Sequence, residues 1–294
     1  MRGGVWTRRS LLAAGAIVPA LGRASEVRAE PSRVAALDWG LASTAAAIGA
    51  GPAACGECDA YRRWVGEPAL PPDVVELGLR TAPSLETLAA LRPDLILINS
   101  LNESLRPLLE RIAPVHANNL FGQDHAPVAR AIGAARELGE RLDRLSQAAA
   151  FVNDTEARLA RARLRLLGHS GRPIVPIGLI DARHARFYGA GSLFADVMGR
   201  IGLVSGWSAP TNAWGFSLAG IDALAACRDM DLLLIEPIPT DARRSMDQPG
   251  LWRSLVEVGR GRVIVAPPIW AFGDLSAAGR CADILTDLLA GQPR

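Results

Sequence analysis

Residues 145–167 constrain this chain more than any other segment, because they contain neither glycine nor proline and follow the pattern of one long helix. Apolar side chains recur in this segment at helical spacing, and Gly168 offers a C-terminal stop. The 23 residues would form a helix of roughly 34 Å at 1.5 Å per residue. We interpret this helix as a spacer between two halves of the chain.

Short apolar runs alternate with longer helix-like segments on both sides of this spacer, and that alternation is typical of an α/β fold. The run at residues 95–98, LILI, predicts a buried strand, and Ser84 can cap the helix that precedes it. The plan is therefore lobe, helix, lobe. The predicted parts are a signal peptide over residues 1–29, an N-terminal α/β lobe over 30–142, a linking backbone helix over 143–169 and a C-terminal α/β lobe over 170–294.

The N-terminus predicts export by the twin-arginine route. Arg8 and Arg9 precede an apolar run, residues 11–21, that is too short to span a bilayer. Cleavage fits after Ala29, or alternatively after Gly22; an uncleaved buried helix or membrane anchor is the other interpretation. Removing residues 1–29 takes away five arginines and one glutamate, so the formal charge changes from +2 to −2. No basic run then remains for nucleic acid or an anionic membrane.

Enzyme signatures such as G-x-S-x-G, H-E-x-x-H, a P-loop or a complete G-x-G-x-x-G do not occur in the sequence, so we expect a binding protein rather than an enzyme. Cys55 and Cys58 form a C-x-x-C pair, which in an exported protein predicts a local disulfide or passive thiols. A metal or redox site is the alternative, but the apolar pattern here does not predict a helix opening at this pair. Cys227 and Cys281 fit small core positions.

Residues 61–81, YRRWVGEPALPPDVVELGLRT, place Trp64 and Arg80 around a proline-rich loop. A planar guanidinium beside an indole suits a large, delocalised anionic ligand, because it donates a fork of hydrogen bonds while the ring stacks. Trp214 and Trp270 also lie in loops bounded by glycine or proline. Each loop tryptophan can alternatively fill the core, but together they predict a cleft lined from both lobes.

These segments, together with LIDARHARFYGAGSLFADVMGRIG (residues 179–202), TNAWG (211–215) and PPIWAFGDLSAAG (267–279), resemble the periplasmic iron(III)–siderophore-binding proteins of ABC importers. The iron(III)–hydroxamate binders are the most similar, and the resemblance covers nearly the whole mature sequence. It implies two Rossmann-like α/β lobes on a single long backbone helix, with a ligand groove between the lobes.

The resemblance also implies the site residues. The ligand-contacting arginine falls on Arg80, the aromatic lining on Trp64, Trp214 and Trp270, and a polar position on Asn212. Three further positions depart from the hydroxamate pattern. A groove tyrosine of the hydroxamate binders aligns near Asn102 of this chain. Phe272 lies where the family pattern has tyrosine, and Phe216 lies where it has a small hydroxyl residue. The C-x-x-C pair has no counterpart in the family.

The function expected from this resemblance is capture of a ferric siderophore in the periplasm and its delivery to an inner-membrane ABC permease. The ligand would be of hydroxamate or mixed carboxylate–hydroxamate type, the chelator would hold the iron, and the protein would need no cofactor or metal of its own. We expect a monomer with little lobe motion, docked to the permease by carboxylates such as those of Glu103, Glu110 or Glu236. The alternatives are a haem or cobalamin carrier of the same fold, an exported thiol or metal enzyme using Cys55 and Cys58, and a structural module.

Overall fold

Two β-sheets, one from each half of the chain, organise the fold. The computed structural model describes residues 33–290 with gaps at Ser170 and Pro249, so the predicted signal peptide and its cleavage sites lie outside the described residues. The strands of the first half are β1 (Val34–Ala36), β2 (Ala54–Cys55), β3 (Val75–Glu76), β4 (Gly78–Leu79), β5 (Ala82–Pro83), β6 (Leu95–Ile98) and β7 (Val115–Ala117). Its helices are α1 (Trp39–Ala47), α2 (Cys58–Trp64), α3 (Leu85–Leu91) and α4 (Arg106–Leu109), with a 3-10 segment over Ser100–Leu105.

The first sheet has the order β3-β2-β1-β6-β7, and all of its neighbouring strands are parallel. The remaining two strands, β4 and β5, pair as a separate antiparallel hairpin with Arg80 and Thr81 at its tip. Ser84 caps α3 by accepting a hydrogen bond from the backbone N–H of Thr87, as the sequence predicts.

The long helix predicted from the sequence is present as α6 (Leu145–Arg165), and α5 (Pro127–Arg141) precedes it. The buried side of α6 follows the predicted helical spacing and consists of Ala148, Val152, Thr155, Leu159 and Ala162. Because these side chains lie on one stripe, α6 can be exposed on one side and packed along its whole length on the other.

The second half of the chain forms a mixed sheet. Its elements are α7 (Leu193–Ile201), α8 (Thr240–Asp247), α9 (Leu251–Gly259), α10 (Leu275–Ala290), β8 (Ile174–Leu179), β9 (His184–Tyr188), β10 (Phe216–Gly220), β11 (Asp231–Ile235) and β12 (Val263–Ala266). The strand order is β10-β9-β8-β11-β12, with β9 antiparallel to both neighbours and the other pairs parallel. The structure thus confirms the predicted α/β class with two sheet-containing lobes, while the lobe boundaries stay a prediction.

The two lobes share one apolar core. Helix α1 of the first lobe packs against α5 and α10, and α6 packs against α5, α7 and α10. Buried side chains from four of these helices belong to one cluster: Leu41, Leu138, Phe194 and Leu285. Two ion pairs join α6 to α10, Arg158 with Asp283 at 2.5 Å and Arg165 with Asp287 at 3.0 Å. Because close-packed cores resist deformation, this arrangement favours small lobe motions.

A buried carboxylate also links the lobes at the start of α10. Asp274 is almost fully buried and accepts hydrogen bonds from the hydroxyls of Ser43 and Thr44 on α1, at 3.1 and 2.9 Å. The same carboxylate caps α10 by accepting from the backbone N–H groups of Ser276 and Ala277. Burial outweighs these four hydrogen bonds and raises the pKa of Asp274 to about 6.

The raised pKa predicts how stability changes with pH. Folded protein holds the proton on Asp274 up to about pH 6, whereas the unfolded chain releases it near pH 4. The stabilising effect of that proton is therefore complete below pH 4 and is lost as the pH rises through 6. We expect Asp274→Asn, which cannot ionise, to gain about 2–3 kcal/mol in free energy of unfolding relative to wild type between pH 4 and pH 7. Urea unfolding at each pH measures this difference, and parallel pH profiles of the two proteins would contradict it.

Candidate functional site: a cleft between the lobes

A cleft of about 310 Å³ lies between the lobes and takes side chains from both. Trp64 and Arg80 line it from the first lobe, and Trp270, Phe272 and Arg186 line it from the second. Its volume and mostly apolar lining are those of a small-molecule site. The structure thus brings Trp64, Arg80, Trp270 and Phe272 together in one cleft, while their contact with a ligand stays a prediction.

Arg80 is held in position by an aromatic ring and a carboxylate. Its guanidinium carbon lies 3.8 Å from the centroid of the Trp39 ring and 5.6 Å from that of Trp270. Its Nε donates to the carboxylate of Glu57 at 2.6 Å. Within the described residues its two terminal amino groups have no hydrogen-bond partner, so the outer fork of the guanidinium is available to an anionic ligand.

The loop that carries Glu57 is fixed by a second carboxylate. Glu76 accepts hydrogen bonds from the backbone N–H groups of Glu57, Cys58 and Gly78, at 2.9, 2.7 and 2.8 Å. Partial burial of the Glu76 carboxyl raises its pKa, but the hydrogen bonds from these donors together lower it by more. The pKa of Glu76 therefore lies below the ordinary value. Glu57 itself has a left-handed φ of 55°, and the Nε1–H of Trp39 donates to the carbonyl of Gly56 at 2.9 Å. The loop at Gly56 and Glu57 therefore contacts both Trp39 and Arg80, through the Gly56 carbonyl and the Glu57 carboxylate respectively.

Cys55 and Cys58 flank this loop as buried free thiols, which corresponds to the passive thiols that were predicted as the alternative to a disulfide. The thiol of Cys58 donates to the carbonyl of Cys55 at 3.4 Å. A hydrogen bond from Cys55 lowers the pKa of Cys58, and that same bond raises the pKa of Cys55. Cys58 is the first residue of α2, so the expectation that no helix opens at this pair is wrong. The sequence lacked the signal because Glu76, which accepts from the first N–H groups of α2, is 18 residues further along the chain.

The aromatic side chains of the cleft form a connected set. The Trp270 ring lies 4.7 Å from Trp39, 6.0 Å from Trp64 and 5.3 Å from Phe272, measured between ring centroids. All of these contacts are tilted or edge-on, the geometries that aromatic pairs favour. Trp270, which belongs to the second lobe, thus contacts two rings of the first lobe, Trp39 and Trp64.

Trp214 lies outside this cleft. Its ring stacks on Phe121 at 5.6 Å and meets Phe272 edge-on at 5.5 Å. It lines a neighbouring cavity of about 50 Å³ that also contains Asp38 and Asn99. Phe272 therefore lines both the cleft and this neighbouring cavity, whereas Trp214 lines the neighbouring cavity and not the cleft.

Two polar residues predicted to contact a ligand make hydrogen bonds within the protein. Asn102 is buried, with 1% of its surface exposed, and its Nδ2 donates to the backbone carbonyl of Arg80 at 2.7 Å. It therefore supports the Arg80 hairpin from below, which corrects its predicted place on the groove surface. Asn212 is exposed, but its side-chain oxygen accepts from the backbone N–H groups of Trp214 and Phe216, so it shapes the loop.

Several residues that line the cleft were not among the predicted site residues, and Trp39, Glu57 and Arg186 are the ones that bear on its chemistry. Trp39 follows directly after the carboxyl end of β1, which is where open α/β sheets place their ligand sites, so its position was a usable signal. Glu57 and Arg186 carried no such signal, because their place in the cleft depends on how the loop and the second lobe pack.

The sequence matches a known family. Residues 34–254 match the family described as periplasmic binding protein. The chain belongs to this family. The Escherichia coli K12 iron(3+)-hydroxamate-binding protein FhuD is 30% identical over 289 residues, 97% of each chain. The achromobactin-binding periplasmic protein of Dickeya dadantii is 31% identical over 213 residues, 69% of this chain and 65% of that protein.

Solved structures show the same fold. The crystal structure of FhuD from Vibrio cholerae with Fe3+–Desferal superposes with a TM-score of 0.83 at 27% identity, over 89% of this chain and 99% of that one. The Vibrio cholerae catecholate-siderophore binding protein VctP superposes at 0.67 with 16% identity, over 90% of this chain and 94% of that one, which shows the fold alone. Across the residues that the structure covers, no helix has the length and apolar character needed to cross a membrane.

Proposed function

We propose that this protein is the substrate-binding component of an ABC importer, which captures a ferric siderophore in the periplasm and passes it to an inner-membrane permease. The observation that carries the proposal is Arg80, held on Trp39 by Glu57 with its outer fork open to a cleft of aromatic side chains. The names of the relatives in Escherichia coli and Vibrio cholerae support the same ligand class.

In this proposal the chelator holds the iron and the protein binds the chelator. Within the described residues, no group of three histidine, cysteine, aspartate or glutamate side chains is placed to hold a metal ion. The hydroxamate or carboxylate oxygens on iron keep partial negative charge, and Arg80 donates to them without displacing them from the metal. Trp64, Trp270 and Phe272 pack against the organic shell.

Delivery requires export and docking. The twin-arginine sequence at Arg8 and Arg9 supplies the export route in this proposal. Glu103 and Glu110 both pair with Arg106 on the first lobe, at 2.8 and 3.3 Å, and Glu236 pairs with Arg243 on the second at 3.1 Å. Because these exposed ion pairs contribute little to stability, each glutamate can leave its arginine in this protein and pair with a permease arginine at a small cost in free energy.

Native mass spectrometry of the protein purified from the periplasm tests this function. We expect the mass of the protein to show cleavage after Ala29 or Gly22. Addition of ferric trihydroxamate should increase that mass by the mass of one bound chelate. The iron-loaded chelate should also quench tryptophan fluorescence at low micromolar concentration, because Trp64 and Trp270 line the cleft. The iron-free chelator is the matched control. A folded protein that binds haem or cobalamin but none of a panel of ferric siderophores would overturn the proposal.

A further inference from the structure

A second arginine faces the cleft from the opposite lobe. Arg186 lies on β9, where alternate side chains point to opposite faces of the sheet. Its neighbours Ala185 and Phe187 are fully buried in the apolar cluster on the far face, whereas Arg186 and Tyr188 line the cleft. A strand in the body of a sheet holds a side chain more rigidly than a loop does.

The guanidinium of Arg186 has no anionic partner within the described part of the chain. Its guanidinium carbon lies 5.6 Å from the centroid of the Phe216 ring. The residues beside it across the sheet are Gly178 on β8 and Leu218 on β10, which bring no carboxylate. A half-buried arginine without a partner loses hydration free energy, and a bound anion can recover it.

The charges of the cleft do not balance without a ligand. Among the described residues, its charged side chains are Glu57, Arg80 and Arg186. Glu57 compensates Arg80 at 2.6 Å, so one positive charge remains, on Arg186. Burial raises the pKa of Tyr188 to about 12, so the neighbouring phenol stays neutral and adds no negative charge.

We propose that Arg186 is a specificity-determining residue that binds a peripheral carboxylate of the ligand. The preferred cargo is then an anionic ferric chelate with a free carboxylate, and a neutral ferric trihydroxamate is a poorer ligand. Arg80 contacts oxygens at the iron centre, while Arg186 binds the carboxylate through the two-pronged geometry that arginine offers and lysine does not. This inference rests on the proposed function, because it concerns the same cleft.

Binding of two probes to wild type and Arg186→Leu tests the inference. The probes are ferric aerobactin, an anionic chelate of citrate and hydroxamates, and ferrichrome, a neutral trihydroxamate. We expect wild type to bind ferric aerobactin at least tenfold more tightly than ferrichrome. Arg186→Leu should weaken ferric aerobactin at least tenfold and change ferrichrome less than threefold. Arg183→Leu, an exposed arginine outside the cleft and near the start of β9, is the matched control and should change neither.

The outcomes separate this inference from the proposed function. Equal affinity of wild type for the two chelates, or an equal loss for both in Arg186→Leu, overturns the role of Arg186 and leaves the proposed function standing. Folded wild type that binds neither these chelates nor other ferric siderophores overturns the proposed function and this inference with it. If Arg186→Leu does not fold, Arg186→Gln keeps the polarity and removes the charge, and the same selective loss is expected.

Discussion

Replacing Arg80 with leucine is expected to lower the affinity for the ferric siderophore by about 30- to 150-fold, which corresponds to about 2–3 kcal/mol for the loss of charge-assisted hydrogen bonds. The loss is large because Trp39 and Glu57 hold the guanidinium before the ligand arrives. Removing it also leaves the Glu57 carboxylate facing an anionic chelate. Fluorescence titration with the iron-loaded chelate measures the change.

The fold should tolerate this replacement, since the Arg80 and Glu57 side chains are 22% and 30% exposed. The double variant Arg80→Leu with Glu57→Gln separates the two causes, and we expect it to recover part of the affinity because the repulsion is gone. Arg62→Leu is the matched control, as Arg62 pairs with Asp59 on the exposed side of α2. Affinity within threefold of wild type in Arg80→Leu would show that the ligand does not contact this guanidinium.

Replacing Trp39 with alanine is expected to lower the free energy of unfolding by about 3–5 kcal/mol, the usual effect of removing a large buried aromatic side chain. Trp39 is 2% exposed, contacts Tyr61 and Trp270, and donates to the carbonyl of Gly56. Trp39→Phe keeps a ring and loses the hydrogen bond, so we expect a smaller effect of about 1–2 kcal/mol. Urea unfolding gives these free energies.

Trp39→Ala should also weaken ligand binding, because the Arg80 guanidinium loses the ring on which it stacks. Trp207→Ala is the matched control. Trp207 stacks on Phe187 at 4.4 Å and packs against the apolar cluster of the second sheet, outside the cleft lining. The Trp207→Ala variant should be less stable than wild type but should keep its affinity for the ligand when binding is measured under conditions in which the variant is folded. Equal loss of affinity in both variants would mean that Trp39 acts through general stability alone.

The sequence predicted the long elements well because their patterns are local. Helix α6 and strand β6 lie within two residues of their predicted bounds, because the helix has a long apolar period and the strand a continuous apolar run. Helix α2 was missed because its first turn depends on Glu76, which the chain brings back through β3. The antiparallel course of β9 was missed for a similar reason, since strand direction depends on which partner it meets.

For the site, the sequence by itself indicated which side chains could bind a large anionic ligand: Arg80 with Trp64 and Trp270, which lie in or beside segments rich in glycine and proline. Only the tertiary structure decided that Trp39 and Glu57 hold Arg80, that Asn102 lies buried beneath it, and that Arg186 faces it from the other lobe. The physical reason is distance along the chain. A guanidinium and a ring more than 40 residues apart meet because two sheets and their shared helices pack in one way, and no local pattern of residues encodes that meeting.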